Sequence, residues 1–305
     1  MQTYIITGAT GGLGLATAHQ LASQPNTRVV LAVRNVAKAR EVTQSWRYNI
    51  EIHELDLADL SSIDTFVANW KTPIAGLMNN AGVQIVSGSR FTAKECFEET
   101  VAVNHLAALK LTNGMLPHLK RGRVLFVGSG SHSPRNFTAG IFGFRGARFQ
   151  SMASSVKGEM PGSSERQAGM DRYATSKFLN MVTTVELARR NVDDVAMYCL
   201  DPGLMAGTGL VRTDKPYRVF AWRYLLPLLA WMLPDKSSPQ RSAQAAAWIL
   251  SQPHQYPSGT IFSFNKKPAK GVWEKVFEQT LGKQVLDDSL ALLNIRRLGE
   301  FTNSQ

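Results

Sequence analysis

Cysteine is scarce in this sequence: Cys96 and Cys199 are the only two among 305 residues. Two thiols cannot make a disulfide framework or a multi-cysteine metal site. No metal is expected, and a reducing, cytoplasmic compartment is. Long apolar runs are also lacking. The most apolar stretch, 220–233, is short and broken by Arg223 and Pro227, which argues against a membrane span. It reads as cover for a substrate in preference to a patch resting on a membrane surface. No secretory leader is evident, because the first residues run straight into a strand and a glycine-rich turn. Acidic residues are few, 23 against 34 Lys and Arg, giving a formal net charge of +11. Such a balance can serve nucleic acid or an anionic surface. The basic clusters, however, are short (Arg121/Arg123, Lys266/Lys267, Arg296/Arg297) and carry no interleaved aromatics, so no nucleic-acid partner is expected. Linkers, repeats and low-complexity tracts are absent too, and the length suits one large α/β domain over 1–305.

What is present alternates between strand-like and helix-like segments. Residues 4–7 form a short apolar strand. The turn Gly8-Ala-Thr-Gly-Gly-Leu-Gly14 follows, then a helical run over 15–22. A glycine-rich turn between strand and helix lets the backbone approach a phosphate, and the helix N-terminus offers it N–H groups. The spacing is Gly-x-x-x-Gly-x-Gly. Residues 28–34 read as a second strand. The residue ending such a strand meets the adenosine ribose in a dinucleotide site, where an acidic side chain favours a free 2′-hydroxyl and Arg a 2′-phosphate. Here it is Arg34, followed by Asn35 and Lys38, so NADP(H) is favoured over NAD(H). A third strand, 51–57, ends at Asp56 and Leu57, positioned to meet an adenine edge. Asp59 or Ser61 is suited to cap the helix that follows. A buried strand from 74 ends in Asn79-Asn80-Ala81-Gly82. The order predicts a doubly wound parallel sheet of Rossmann type, with ligands at the carboxyl ends of the strands.

Residues 93–119 read as one or two helices carrying Asn104. Residues 123–129 read as a fifth strand with Ser129 at its end. His132 is read as an ordinary loop residue in preference to one that faces the substrate. Pro134 to Gly169 is rich in Gly, Ser, Met and Arg, with weak periodicity, and suggests an insertion over the active site. Arg135, Arg145 and Arg148 in it could meet an acidic substrate or simply be solvated. Residues 171–190 form an amphipathic helix on which Tyr173 and Lys177 share a face. A fixed ammonium beside a phenol favours the phenolate and draws the tyrosine pKa down from about 10 toward working pH. A sixth strand, 195–200, turns out at Asp201-Pro202-Gly203. The region 204–233 is a further substrate lid, 242–250 a helix, 259–264 the last strand and 272–294 a helical tail.

In that order the chain resembles the short-chain dehydrogenase/reductase family. The matching residues are Thr7-Gly-Ala-Thr-Gly-Gly-Leu-Gly14, Asp56-Leu57, Asn79-Asn-Ala-Gly82, Asn104, Ser129, Tyr173-x-x-x-Lys177 and Pro202-Gly203. The resemblance implies an NADP(H)-dependent oxidoreductase with Asn104, Ser129, Tyr173 and Lys177 as catalytic residues. It implies cofactor contacts from Gly8, Thr10, Gly12, Leu13, Gly14, Arg34, Asp56, Leu57, Asn80, Ala81, Gly82, Tyr173, Lys177, Pro202 and Gly203. Tyr173 would give the proton to a substrate oxygen held by Ser129, Lys177 would lower the Tyr173 pKa, and Asn104 would hold a water relaying protons to Lys177. Dimers and tetramers are as compatible with it as monomers. The insertion, 204–212 and 258–265 resemble the branch that holds protochlorophyllide reductases and retinol dehydrogenase-like enzymes. In the plant and cyanobacterial protochlorophyllide reductases a cysteine follows the Pro-Gly, where this chain has Leu204. The first expectation is therefore alcohol/carbonyl chemistry on an apolar substrate. Reduction of a carbon–carbon double bond, and a catalytically silent dinucleotide sensor, are the alternatives.

Overall fold

A computed structural model describes residues 1–119, 121–205 and 235–299. Seven strands form one sheet: β1 (Gln2–Thr7), β2 (Thr27–Val33), β3 (Ile50–Glu54), β4 (Gly76–Asn79), β5 (Arg123–Val127), β6 (Ala196–Asp201) and β9 (Ile261–Ser263). Their order is β3-β2-β1-β4-β5-β6-β9 and every pairing is parallel. Two short strands, β7 (Leu204–Met205) and β8 (Lys236–Ser237), pair separately. The order reverses between β1 and β4, and there the carboxyl ends of neighbouring strands open a crevice. Along the outer edge of β9, Ser263 N–H donates to Lys267 O and Ala269 N–H to Ile261 O, so the chain's own return covers that edge.

Helices cover both faces. On one lie α1 (Gly12–Ala22), α2 (Val36–Thr43) and α9 (Pro239–Ser251), packed on Ile6, Leu31, Met78 and Leu125. On the other lie α3 (Leu60–Asn69), α4 (Glu99–Val101), α5 (Ala107–Met115), α8 (Glu165–Arg190) and α10 (Gln279–Leu292), packed on Ile5, Val30, Leu77 and Phe126. The side chains of Asn35, Asp59, Ser164 and Ser238 cap α2, α3, α8 and α9 by accepting N–H bonds from the first turn.

Three expectations need revision. Helix over 93–119 begins only at Glu99, because Phe91 and Glu98 form a β-bridge first. From there a π-helical segment, Ala102–Leu106, joins α4 to α5. The 134–169 insertion is not weakly structured. It contains α6 (Phe137–Ile141) and α7 (Met152–Val156) and sinks Ala147, Met152 and Val156 into the core. Arg145 in it pairs with the buried Asp171 at 2.7 Å, while Arg135 pairs with Glu274. Most of the insertion is therefore a brace on α8. Helix α8 starts six residues before the expected 171 and is buried almost all round. That explains its blurred amphipathicity: it is clamped between sheet, insertion and α10. The expected lid at 204–233, including 220–233, lies outside the described residues beyond Met205.

Candidate active site

A cleft of about 880 Å³ runs along the carboxyl ends of the strands. Its floor at one end is the glycine-rich turn. Gly8 and Gly12 have φ of +67° and +55°, left-handed values that favour glycine. Gly11, the N-cap of α1, supplies no capping side chain, and the first turn of α1 carries no acidic residue. The α1 N-terminus thus opens to the cleft through Gly11, Gly12 and Leu13, a donor set and dipole end suited to a phosphate. Thr7 ties this turn to the β4 exit. Its hydroxyl accepts the N–H groups of Asn80 and Ala81, and Asn80 Nδ2 donates back to Thr7 O at 2.8 Å.

Gly8, Thr10, Gly12, Leu13, Arg34, Asp56, Leu57, Asn80, Ala81, Gly82, Tyr173, Lys177, Pro202 and Gly203 all line the cleft. Gly14 does not. It faces Asn80 and Gly8: a methyl there would run into Asn80 Nδ2 and come to 2.9 Å of Gly8 O. Its work is to let α1 close on the β4 exit. Arg34 and Lys38 stand beyond β2 and line the cleft with Asn35. These features fit a dinucleotide with its pyrophosphate on the turn.

At the other end Ser129, Tyr173 and Lys177 meet. Ser129 follows β5, and its Oγ accepts from Ser131 N–H and from the Ser131 hydroxyl at 3.0 Å. The Tyr173 hydroxyl lies beside Ser129. Lys177 lies 5.7 Å from the Tyr173 ring centre, and its Nζ donates to Val127 O at 3.1 Å. The electrostatics differ from expectation. Burial raises the Tyr173 pKa above the usual tyrosine range, and the charge on Asp201 adds to that, while the neighbouring Ser129 hydroxyl opposes both. Burial lowers Lys177 to about 8. Lys177 does not draw Tyr173 down here, because both groups are stripped of water and the ammonium is engaged with a backbone carbonyl.

Asn104 sits behind the cleft on the π-helical segment. Its Oδ1 accepts Val83 N–H at 2.7 Å, and its Nδ2 donates to Val83 O and Ser176 Oγ. A methyl on Gly82 would touch both Asn104 Oδ1 (3.2 Å) and Lys177 Nζ (3.4 Å). Asn104 therefore fixes the strand exit beside Lys177 with its side-chain amide, and a π-turn at that point widens the helix to let it do so. His132 is buried and structural. Its Nδ1–H donates to Ser129 O at 2.7 Å, and its Nε2 accepts Trp273 N–H. Burial lowers it to about 4.

Other cleft residues were not singled out from sequence: Asn136, Thr138 and Phe142 from the insertion, Asp201, Asp235 and Phe264. Asp201 could have been found, since it ends β6 directly before Pro202-Gly203, and every other strand end here carries site residues.

A short chain dehydrogenase family model matches residues 2–140. The chain is 31% identical to the chloroplastic protochlorophyllide reductase of Pisum sativum over 93% of its own length and 73% of the relative's. Among solved structures, an uncharacterised protein of Mycobacterium Paratuberculosis superposes with a TM-score of 0.71 at 24% identity, over 99% of this chain and 95% of that one. An NAD(P)-dependent gluconate 5-dehydrogenase from Beutenbergia cavernae with bound NADP gives 0.59 at 22% identity, over 86% and 94%. Among the described residues no helix is long and apolar enough to cross a membrane. With relatedness above 30% over nearly the whole chain and a seven-stranded parallel sheet, the chain belongs to the short-chain dehydrogenase/reductase family of oxidoreductases.

Proposed function

We propose that the chain uses NADPH to reduce the carbonyl carbon of a largely apolar substrate to an alcohol. The carrying observation is Tyr173 beside Ser129, with Lys177 alongside, inside the cleft that starts at the glycine-rich turn. When bound, the dinucleotide supplies the hydride. The N–H groups at Gly11, Gly12 and Leu13 hold its pyrophosphate, and Arg34 with Lys38 receives a 2′-phosphate in preference to a bare ribose. Ser129 Oγ orients the substrate oxygen, and Tyr173 Oη gives it a proton. The raised Tyr173 pKa suits this direction, since the phenol stays protonated at neutral pH. Lys177, held near 8, can pass a proton on toward Tyr173 without a large energetic penalty. Phe142, Phe144 and Phe264 give the substrate end an apolar lining.

The relatives supply a second reading, reduction of a conjugated carbon–carbon double bond, because those at about 30% identity are named protochlorophyllide reductases. Leu204 in place of the expected cysteine speaks against it. Loss of the near-ultraviolet absorbance of NADPH, measured against aldehydes, ketones and quinones in the dark, tests the first reading. Dark turnover that vanishes in Tyr173→Phe, with NADPH affinity kept, supports it. Turnover confined to an illuminated tetrapyrrole moves the assignment to the second. Tight NADPH binding with no turnover on either would make the chain a dinucleotide sensor.

A further inference from the structure

The substrate end of the cleft is not uniformly apolar. Asp201, at the tip of β6, turns its carboxylate toward the loop that follows Ser129. Its Oδ1 accepts Gly203 N–H at 3.1 Å, and the nearby Gly130 N–H favours its charged form. A Cβ placed on Gly130 would lie 2.7 Å from Asn136 Nδ2 and 3.4 Å from Asp201 Oδ2. The amide of Asn136 and the carboxylate of Asp201 thus converge over one glycine, the residue next to Ser129. Asn136 Nδ2 also reaches Asp235 Oδ2 at 3.5 Å, so a second carboxylate joins the group. Thr138, the second residue of α6, lines the same cleft; its hydroxyl is buried and has no hydrogen-bond partner among the described residues. A buried hydroxyl without a partner is costly unless a ligand completes it.

We propose that Asp201, Asp235, Asn136 and Thr138 form a recognition corner for a hydroxyl group on the substrate, next to the carbon that is reduced at Ser129 and Tyr173. The chemistry selects a hydroxyl. Two carboxylates accept a hydrogen bond strongly. The Asn136 amide and the Thr138 hydroxyl can donate one in return, so a group that both donates and accepts satisfies the corner. The apolar body then rests against Phe142, Phe144 and Phe264. The favoured substrate class is a hydroxy-ketone or hydroxy-aldehyde with an apolar remainder, not a plain hydrocarbon ketone. The corner also acts on the acid: the Asp201 charge helps keep the Tyr173 proton in place.

The inference rests on the carbonyl-reductase reading for its chemistry, but its binding prediction can be read separately. The probes are acetophenone and 2-hydroxyacetophenone, each offered to wild type and Asp201→Asn with NADPH for kcat/KM, and to the NADP-loaded proteins for calorimetric Kd. Wild type should favour the hydroxylated ketone by about tenfold or more, the range of one hydrogen bond to a charged acceptor. Asp201→Asn should collapse that ratio toward unity, and Thr138→Val should lower it. Turnover of both ketones with equal kcat/KM in wild type, or an undiminished ratio in Asp201→Asn, overturns the corner and leaves the reductase reading standing. No turnover of either, with hydroxyl-selective binding that is lost in Asp201→Asn, overturns the reductase reading and upholds the corner. Equal or unmeasurable binding of both overturns the corner as well.

Discussion

Removing Arg172 should loosen the helix that carries Tyr173 more than any surface change could. Arg172 and Glu98 form an ion pair at 3.2 Å with side chains 3% and 0% exposed. Glu98 also accepts Val101 N–H at 3.0 Å and the Thr100 hydroxyl at 2.8 Å, and Arg172 Nη2 donates to Gly88 O. Burial raises the Glu98 pKa, and Arg172 is among the groups that oppose this. Nε has no aligned hydrogen bond, so charge does much of the holding. Arg172→Met leaves the Glu98 carboxylate buried with neutral partners alone. The expected loss is about 3 kcal/mol, the lower end for breaking one side of a buried pair. At 2–4 °C per kcal/mol, typical of large domains, that is roughly a 6–12 °C fall in Tm. The double variant Glu98→Gln/Arg172→Met should recover part of the loss, because no stranded carboxylate remains. Urea unfolding of wild type, both single variants and the double variant gives the coupling. Singles that each cost under about 1 kcal/mol and add without coupling would refute the claim that this pair seats α8.

Acid should also destabilise the fold. Burial depresses His105 and His132 to about 4. Depressed histidines stabilise the native state above the unfolded value of about 6.5, and that contribution drains away as pH falls toward 4. Urea midpoints should fall across that window, and His105→Gln should flatten the slope; a flat wild-type profile would contradict the burial argument. Arg34→Asp should weaken NADPH by about tenfold or more relative to NADH in a binding titration, and an unchanged ratio would mean the ribose is read elsewhere. Gly14→Ala should weaken both dinucleotides together, through displacement of Asn80, with little change in their ratio; intact binding would show that α1 can shift outward to accommodate the methyl.

The glycine-rich half of the cleft was legible because its signals are local. Glycines at fixed spacing, strand ends and capping residues each act within a few positions of themselves, and the sheet order follows from alternation. Tyr173 and Lys177 were legible as a pair on one helical face, but their electrostatics were not. Whether an ammonium lowers a phenol depends on how much water each keeps, and here burial wins for Tyr173. Gly14 looked like a phosphate contact and proved to be a packing one, since spacing does not say which side of the turn a Cα faces. The insertion looked loose because its order comes from afar: Arg145 on Asp171 and Glu98 N–H on Val156 O are pairings that composition cannot reveal. Asp235 enters the cleft from a turn and Thr138 from α6, and nothing in their neighbourhoods marks them.

Val127 O has a consequence for how the enzyme is born. That carbonyl accepts from Lys177 Nζ and from Asn180 Nδ2. Asn180 Oδ1 in turn meets His105, whose other ring nitrogen meets Ser289 on α10. As the chain leaves the ribosome, the glycine-rich turn, Arg34 and the β4 exit are synthesised before residue 140. The lysine's setting must wait for a partner near residue 289. The two ends of the cleft are therefore synthesised at different times, and the hydrogen-bonded chain behind the lysine closes only when nearly the whole protein has been made.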